Sequence, residues 1–115
     1  MPFIDLKTTR KFNNEELVQL KFRLGEIISI IPGKSESVLM IGIDANSILY
    51  FSGKDDSDYA YVEIKLFGKA PFESKFRFTE ALYELLEDEF AIPRNSVFLN
   101  FTEFDNWAYQ GRLSQ

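Results

Sequence analysis

The chain has no cysteine and no histidine. The first absence excludes a disulfide framework and thiolate chemistry. The second removes imidazole acid–base catalysis, and with both gone a zinc site has lost its usual ligands. Thirteen Lys and Arg stand against eighteen Asp and Glu, a net charge of −5. No basic cluster stands out, which argues against a nucleic-acid footprint. No apolar run approaches the roughly 20 residues of a membrane span, and no basic-then-apolar signal pattern opens the chain. The expectation is one soluble, cytoplasmic domain over residues 1–115, without metal or membrane, with non-classical secretion left open. Aromatic residues, by contrast, are plentiful: 12 Phe and 5 Tyr in 115 residues. At this length the core is modest, and oligomer formation would help burial.

With histidine and cysteine missing, the residue that stands out is Pro2. Once Met1 is removed, the chain begins with a secondary amine held by a rigid ring. A neutral amine of this kind serves as a general base near pH 7 if its surroundings disfavour the charge. The plainer reading is that Pro2 only permits trimming of Met1 and packs an edge.

The chain repeats its pattern once. Phe3-Ile4-Asp5-Leu6-Lys7 is echoed by Tyr61-Val62-Glu63-Ile64-Lys65, both alternating as half-buried strands do. A helix follows each. In the first, Leu17, Leu20, Leu24, Ile27, Ile28 and Ile31 recur at helical spacing behind Asn13 or Asn14 as N-cap. In the second, Phe72, Phe76, Thr79, Leu82, Leu86 and Phe90 do so, with Pro71 suited to the first turn. An Ile-Pro step ends each helix, and a strand follows, Val38 to Ile43 and Val97 to Phe101. This predicts an α+β fold. Two β-α-β repeats, about 2–51 and 59–110, form a four-stranded mixed sheet with two helices on one face. The other face, carrying apolar side chains such as Ile4 or Phe3 according to register, would be buried between subunits. Short strands at Ile48 to Phe51 and around Trp107 would pair across the subunit boundary. The acidic loop Ser52 to Asp58 reads as solvated, since it lacks calcium-loop spacing.

These pieces, in this order, resemble the macrophage migration inhibitory factor family of the tautomerase superfamily over essentially the whole chain. The resemblance rests on Met1-Pro2, Pro32-Gly33-Lys34, Phe51-Ser52-Gly53, Tyr61 to Lys65 with Phe67-Gly68, Ile92 to Phe101, and Asn106 to Gly111. It implies a homotrimer with pockets between subunits and keto–enol tautomerisation of phenylpyruvate-like 2-oxo acids, using no cofactor or metal. Pro2 would be the base and Lys34 the partner of the substrate carboxylate. Phe67 would be an apolar wall, Asn100 a donor from the neighbouring subunit, and Tyr109 and Trp107 the aromatic closure. Phe98 stands where a tyrosine commonly reaches into the pocket, Ser35 where proline is usual, and the tail Arg112 to Gln115 differs from many members.

An α-amino group titrates near roughly 7.7–8.0. Burial against Phe67 and Tyr109 and the charge of Lys34 would both lower it. Alternatives stay open for each residue. Lys34 would also suit the negative end of a helix dipole. Asn100 in an apolar strand needs a partner, either substrate or backbone. Trp107 and Tyr109 suit an interface as well as a pocket, and Phe67 suits a core. Two other readings compete with the enzyme. One is a family-fold binding or signalling protein with vestigial turnover, favoured by Phe98. The other is a ferredoxin-like sensory or RNA-binding domain, opposed by acidity and the missing aromatic RNA signature.

Overall fold

A computed structural model describes all 115 residues. Alternation makes the two central strands. In β1 (Pro2–Thr8) Ile4, Leu6 and Thr8 are fully buried, and in β3 (Ala60–Phe67) Val62, Ile64 and Leu66 are. These strands pair antiparallel, Pro2 opposite Leu66 and Lys7 opposite Tyr61. Each then carries a parallel neighbour on its outer side, β2 (Met40–Asp44) on β1 and β4 (Val97–Phe104) on β3. The order β2-β1-β3-β4 is the mixed four-stranded sheet read from the sequence.

The crossovers are α1 (Asn14–Ile27) and α2 (Phe72–Phe90). Asn13 starts α1 with a capping box. Its Oδ1 accepts from the Glu16 backbone N–H at 2.8 Å, and Glu16 Oε1 accepts from the Asn13 N–H at 3.0 Å. Two orphan donors of the first turn are thereby satisfied. Leu20, Leu24, Ile27 and Ile28 point inward with Ile31 just beyond the helix, and meet Phe78, Leu82, Leu85, Leu86 and Phe90 of α2 in one core cluster. No helix is long and apolar enough to cross a membrane.

Four expectations need correction. In α2, Phe72 and Phe76 are 77% and 50% exposed, stacked on each other at 6.4 Å, and Phe78 and Leu85 take the inward places. At 3.6 residues per turn, Phe76 is rotated about 120° from Leu82, which is off the core stripe. The strand expected from Val38 begins at Met40, because Glu36–Val38 form a 3-10 turn. Ile48 to Phe51 is no strand; it has one bridge, Phe51 to Lys54. Ile48 is 82% and Tyr50 66% exposed, whereas Phe51 bridges to Lys54 and lays its ring against Phe98. Trp107 does start a strand, β5 (Trp107–Tyr109), paired with β6 (Arg112–Ser114) through a turn with positive φ at Gln110 and Gly111.

The fourth correction concerns the open face. Ile4 faces the helices, whereas Phe3 lies on the uncovered side with Asp5 and Lys7. Charge runs along that face: Asp5 and Glu63 pair at its middle, Lys65 lies 3.8 Å from Glu63 and beside Phe3, and Lys7 lies 3.7 Å from Asp44 and beside Tyr61. Its apolar and aromatic groups sit at the two ends.

Candidate active site

The first end of the open face is organised by a turn. Pro32 and Gly33 (φ +77°) occupy its centre, and the Lys34 N–H closes it by donating to the Ile31 carbonyl at 3.1 Å. Proline presets the first φ and glycine alone takes the second without strain. The turn aims Lys34 at the start of β1 and the end of β3. Lys34 Nζ donates to the Phe67 carbonyl at 2.8 Å, and the Phe67 N–H donates to the Met1 carbonyl at 3.2 Å. An ammonium has three N–H bonds, so the Phe67 carbonyl does not exhaust it. α1 has no basic residue in its last turn; Lys34 reaches the Phe67 carbonyl instead.

Met1 is present, so Pro2 N is an amide and the terminal amine belongs to Met1. That amine is lowered from 8.0 to about 6, first by burial, then by the positive charge of Lys34 and the hydrogen bond Lys34 offers it. At pH 7 an amine at this position is mostly neutral, a base rather than a cation. Beside it opens a cavity of about 370 Å³ lined by Met1, Pro2, Phe3, Leu39, Met40 and Trp107 among others, with Tyr109 on its rim. The size suits a small organic ligand. Trp107 is held edge-on against Phe104 at 5.8 Å. A larger hollow, about 470 Å³, lies between α1 and β2, but its titratable groups are only Lys21 and Glu36.

Pro2, Lys34, Phe67, Trp107 and Tyr109 thus gather at one end. Phe67 contributes its backbone, and its ring is not part of the cavity wall. Phe98 and Asn100 are elsewhere. Phe98 pairs with Tyr61, which pairs with Lys7, five residues along β1 from Pro2, about 17 Å at strand rise. Within one chain they do not meet the base.

At this second end the Phe98 ring packs on Phe51 at 4.8 Å. Asn100 Nδ2 donates to Tyr61 Oη at 2.7 Å, so its partner is neither backbone nor an empty place. Leu49, Phe51, Tyr59, Tyr61 and Phe98 line a wholly apolar hollow of about 230 Å³. Sequence reasoning overlooked Phe3, Leu39 and Met40 in the first cavity and Tyr61 at the second. The strand pattern held the signal for Tyr61, which is in phase with Glu63 and Lys65 on the open face.

A sequence model of the family described as Macrophage migration inhibitory factor (MIF) matches residues 1–112. The chain belongs to the macrophage migration inhibitory factor family. A curated relative, the Brugia malayi macrophage migration inhibitory factor homolog, is 27% identical over 105 residues, covering 91% of this chain and 90% of that one. Among solved structures, Leishmania major MIF2 superposes with a TM-score of 0.89 at 18% identity, covering 99% of this chain and 97% of that one. The migration inhibitory factor-like protein of Entamoeba histolytica gives 0.86 at 23% identity, with 98% of each chain covered. At such identities the structural likeness speaks for the MIF fold.

Proposed function

We propose that the protein is a keto–enol tautomerase acting on phenylpyruvate-like 2-oxo acids, with the amine of Pro2 as general base once Met1 is removed. One observation carries the reading. The amine of Met1, one residue from Pro2, is lowered to about 6 by burial and by Lys34 at the mouth of an apolar cavity, and the same two influences await an amine on Pro2. The neutral amine takes a proton from the carbon beside the 2-oxo group. The C–H electron pair becomes the enol double bond while the C=O π pair moves onto oxygen, which takes a proton from water; the hydroxide left behind takes the ammonium's proton, restoring water and the neutral amine. In the reverse direction the protonated amine returns its proton to carbon. No atom is gained or lost, so no redox partner is required. Lys34 meets the substrate carboxylate with an N–H bond that the Phe67 carbonyl does not take, and Trp107 and Tyr109 cover the aryl group.

The active form in this proposal is a homotrimer with pockets between subunits. The exposed Ile48, Tyr50, Phe51 and Leu113 are the surfaces it would cover, and Phe98 and Asn100 would reach the neighbour's Pro2. Sedimentation equilibrium should give a trimer of the 13.4 kDa chain, and intact mass should lack Met1. Ketonisation of enol-phenylpyruvate should fall by about 10²-fold or more in Pro2→Gly, the usual scale of a general base. A tagged, folded chain that turns over as fast as the native one overturns the proposal.

A second reading, a binding or signalling protein with vestigial turnover, draws on the Phe98 ring, which offers no hydroxyl and is engaged with Phe51. It expects background ketonisation indifferent to Pro2→Gly.

A further inference from the structure

The bond between Asn100 and Tyr61 decides what each group has left to offer. Asn100 Nδ2 donates and Tyr61 Oη accepts, at 2.7 Å. The phenol's own O–H is therefore free to donate elsewhere. Tyr61 is 42% exposed, so its hydroxyl is neither sealed in the core nor needed by a buried acceptor. It is also the cross-strand partner of Phe98, two pairs before Glu63 and Asn100 in the parallel register and so on the same face. Tyr61, Phe98 and Asn100 consequently share the open face at one spot. On one side of Tyr61 lies an apolar hollow walled by Leu49, Phe51 and Phe98; on the other, Lys7 is its cross-strand neighbour and Glu63 is that of Asn100. An oriented hydroxyl at the edge of an apolar hollow is a usual arrangement for fixing one ligand oxygen.

We propose that Tyr61 is the residue of this end that meets the substrate oxygen, and that Asn100 is a positioning residue acting through it. This rests on the tautomerase reading and on pockets formed between subunits. It differs from that reading's assignment of Asn100 as the direct donor. A phenol absent at Phe98 is supplied one strand away. With Asn100 holding its oxygen, the Tyr61 O–H points outward and donates to the 2-oxo or enol oxygen of a ligand seated at the partner subunit's Pro2. No bond to Tyr61 forms or breaks; the hydroxyl stabilises oxygen as charge gathers there.

Tyr61→Phe removes only the hydroxyl. It should lower kcat/KM for enol-phenylpyruvate by about tenfold, the scale of one neutral hydrogen bond, with assembly and melting temperature unchanged. Asn100→Ala should lower it by less. In the Tyr61→Phe background Asn100→Ala should add nothing, because its effect passes through the phenol. Tyr61→Phe with Phe98→Tyr, which returns a hydroxyl to the neighbouring strand, should recover most of the loss. Pro2→Gly is measured alongside. Full activity of Tyr61→Phe, in a protein whose turnover depends on Pro2, overturns the Tyr61 assignment and leaves the base intact. Additive losses in the double variant overturn the positioning role of Asn100. Turnover that is absent, or indifferent to Pro2→Gly, overturns the tautomerase reading and this one with it.

Discussion

The two ends of the open sheet face are built from similar rings and hold opposite chemistry. At one end Phe3, Met40 and Trp107 surround a terminal amine beside an ammonium. At the other, Phe51 and Phe98 line a hollow beside the Tyr61 hydroxyl, which accepts from the Asn100 amide at 2.7 Å. Burial disfavours the charge of the amine, whereas the second pair is organised by a hydrogen bond between two side chains. The first end can move a proton; the second can only orient an oxygen. A proton transfer beside a carbonyl needs both. About 17 Å of strand separates them inside one chain, so the proposed reaction needs a second copy to bring them together.

The sharpest way to break this contrast is to discharge the first end while leaving its cavity in place. Lys34→Ala removes the ammonium whose Nζ sits 2.8 Å from the Phe67 carbonyl. If that ammonium anchors a carboxylate, the loss is one charge-assisted contact, about 1.5–3 kcal/mol, or roughly 10- to 150-fold in kcat/KM. The loss should be largest for 2-oxo acids and small for analogues without the carboxylate. An unchanged kcat/KM would leave Lys34 as a brace between the Pro32–Gly33 turn and β3.

Much of this is legible in the sequence. Alternation located β1 and β3, and the Ile-Pro steps marked where each crossover turns back toward the sheet. Pro32-Gly33-Lys34 was read through family resemblance, and the structure adds the physical reason, a turn that only glycine closes at φ +77°. What escaped depends on phase or on partners. Phe72 and Phe76 carry the right residue type on the wrong helical face. Val38 to Met40 reach the Pro2 cavity through a 3-10 turn that leaves no periodic trace. Ile48 to Phe51 has strand composition without a strand to pair with, a matter that no single chain decides. Tyr61 was hidden because tyrosine satisfies an apolar reading of the strand while its hydroxyl lies in phase with Glu63 and Lys65.

A second test sharpens the contrast through pH. The amine at the first end stands at about 6 against 8.0 in an unperturbed chain. The unfolded chain therefore holds a proton between pH 6 and 8 that the native chain has released. By linkage, stability rises with pH across that window; the penalty is full below about 6 and gone above 8. The melting temperature of the Met1-bearing form should rise over this range and less so after N-terminal acetylation. In the processed form the amine moves inward to Pro2, which is buried where Met1 is only partly so. Burial and Lys34 act there in the same direction, so kcat/KM should rise with pH on a limb centred below 8. Lys34→Ala should move that limb upward, whereas Tyr61→Phe should leave it in place. A limb at or above 8 would mean that neither burial nor Lys34 acts on the base.

The smallest expected effect tests the ground between the ends. Asp5 and Glu63 are the carboxylates nearest the base in sequence pattern, and as cross-strand partners they lie side by side on the open face. Asp5 is three residues from Pro2 along β1, about 10 Å at strand rise. Glu63 lies 3.8 Å from Lys65 at a partly exposed position. A carboxylate base would need burial to raise its pKa into the working range, and neither residue is in the core. Asp5→Asn and Glu63→Gln keep shape and remove charge. Neither lines the Pro2 cavity, and a partly exposed charge is worth at most about 1 kcal/mol, so each should change kcat/KM by less than about fivefold and leave the pH limb where it was. A hundredfold loss in either variant, with the native fold retained, would move the base from the chain terminus to the charged middle of the sheet and dissolve the contrast between its ends.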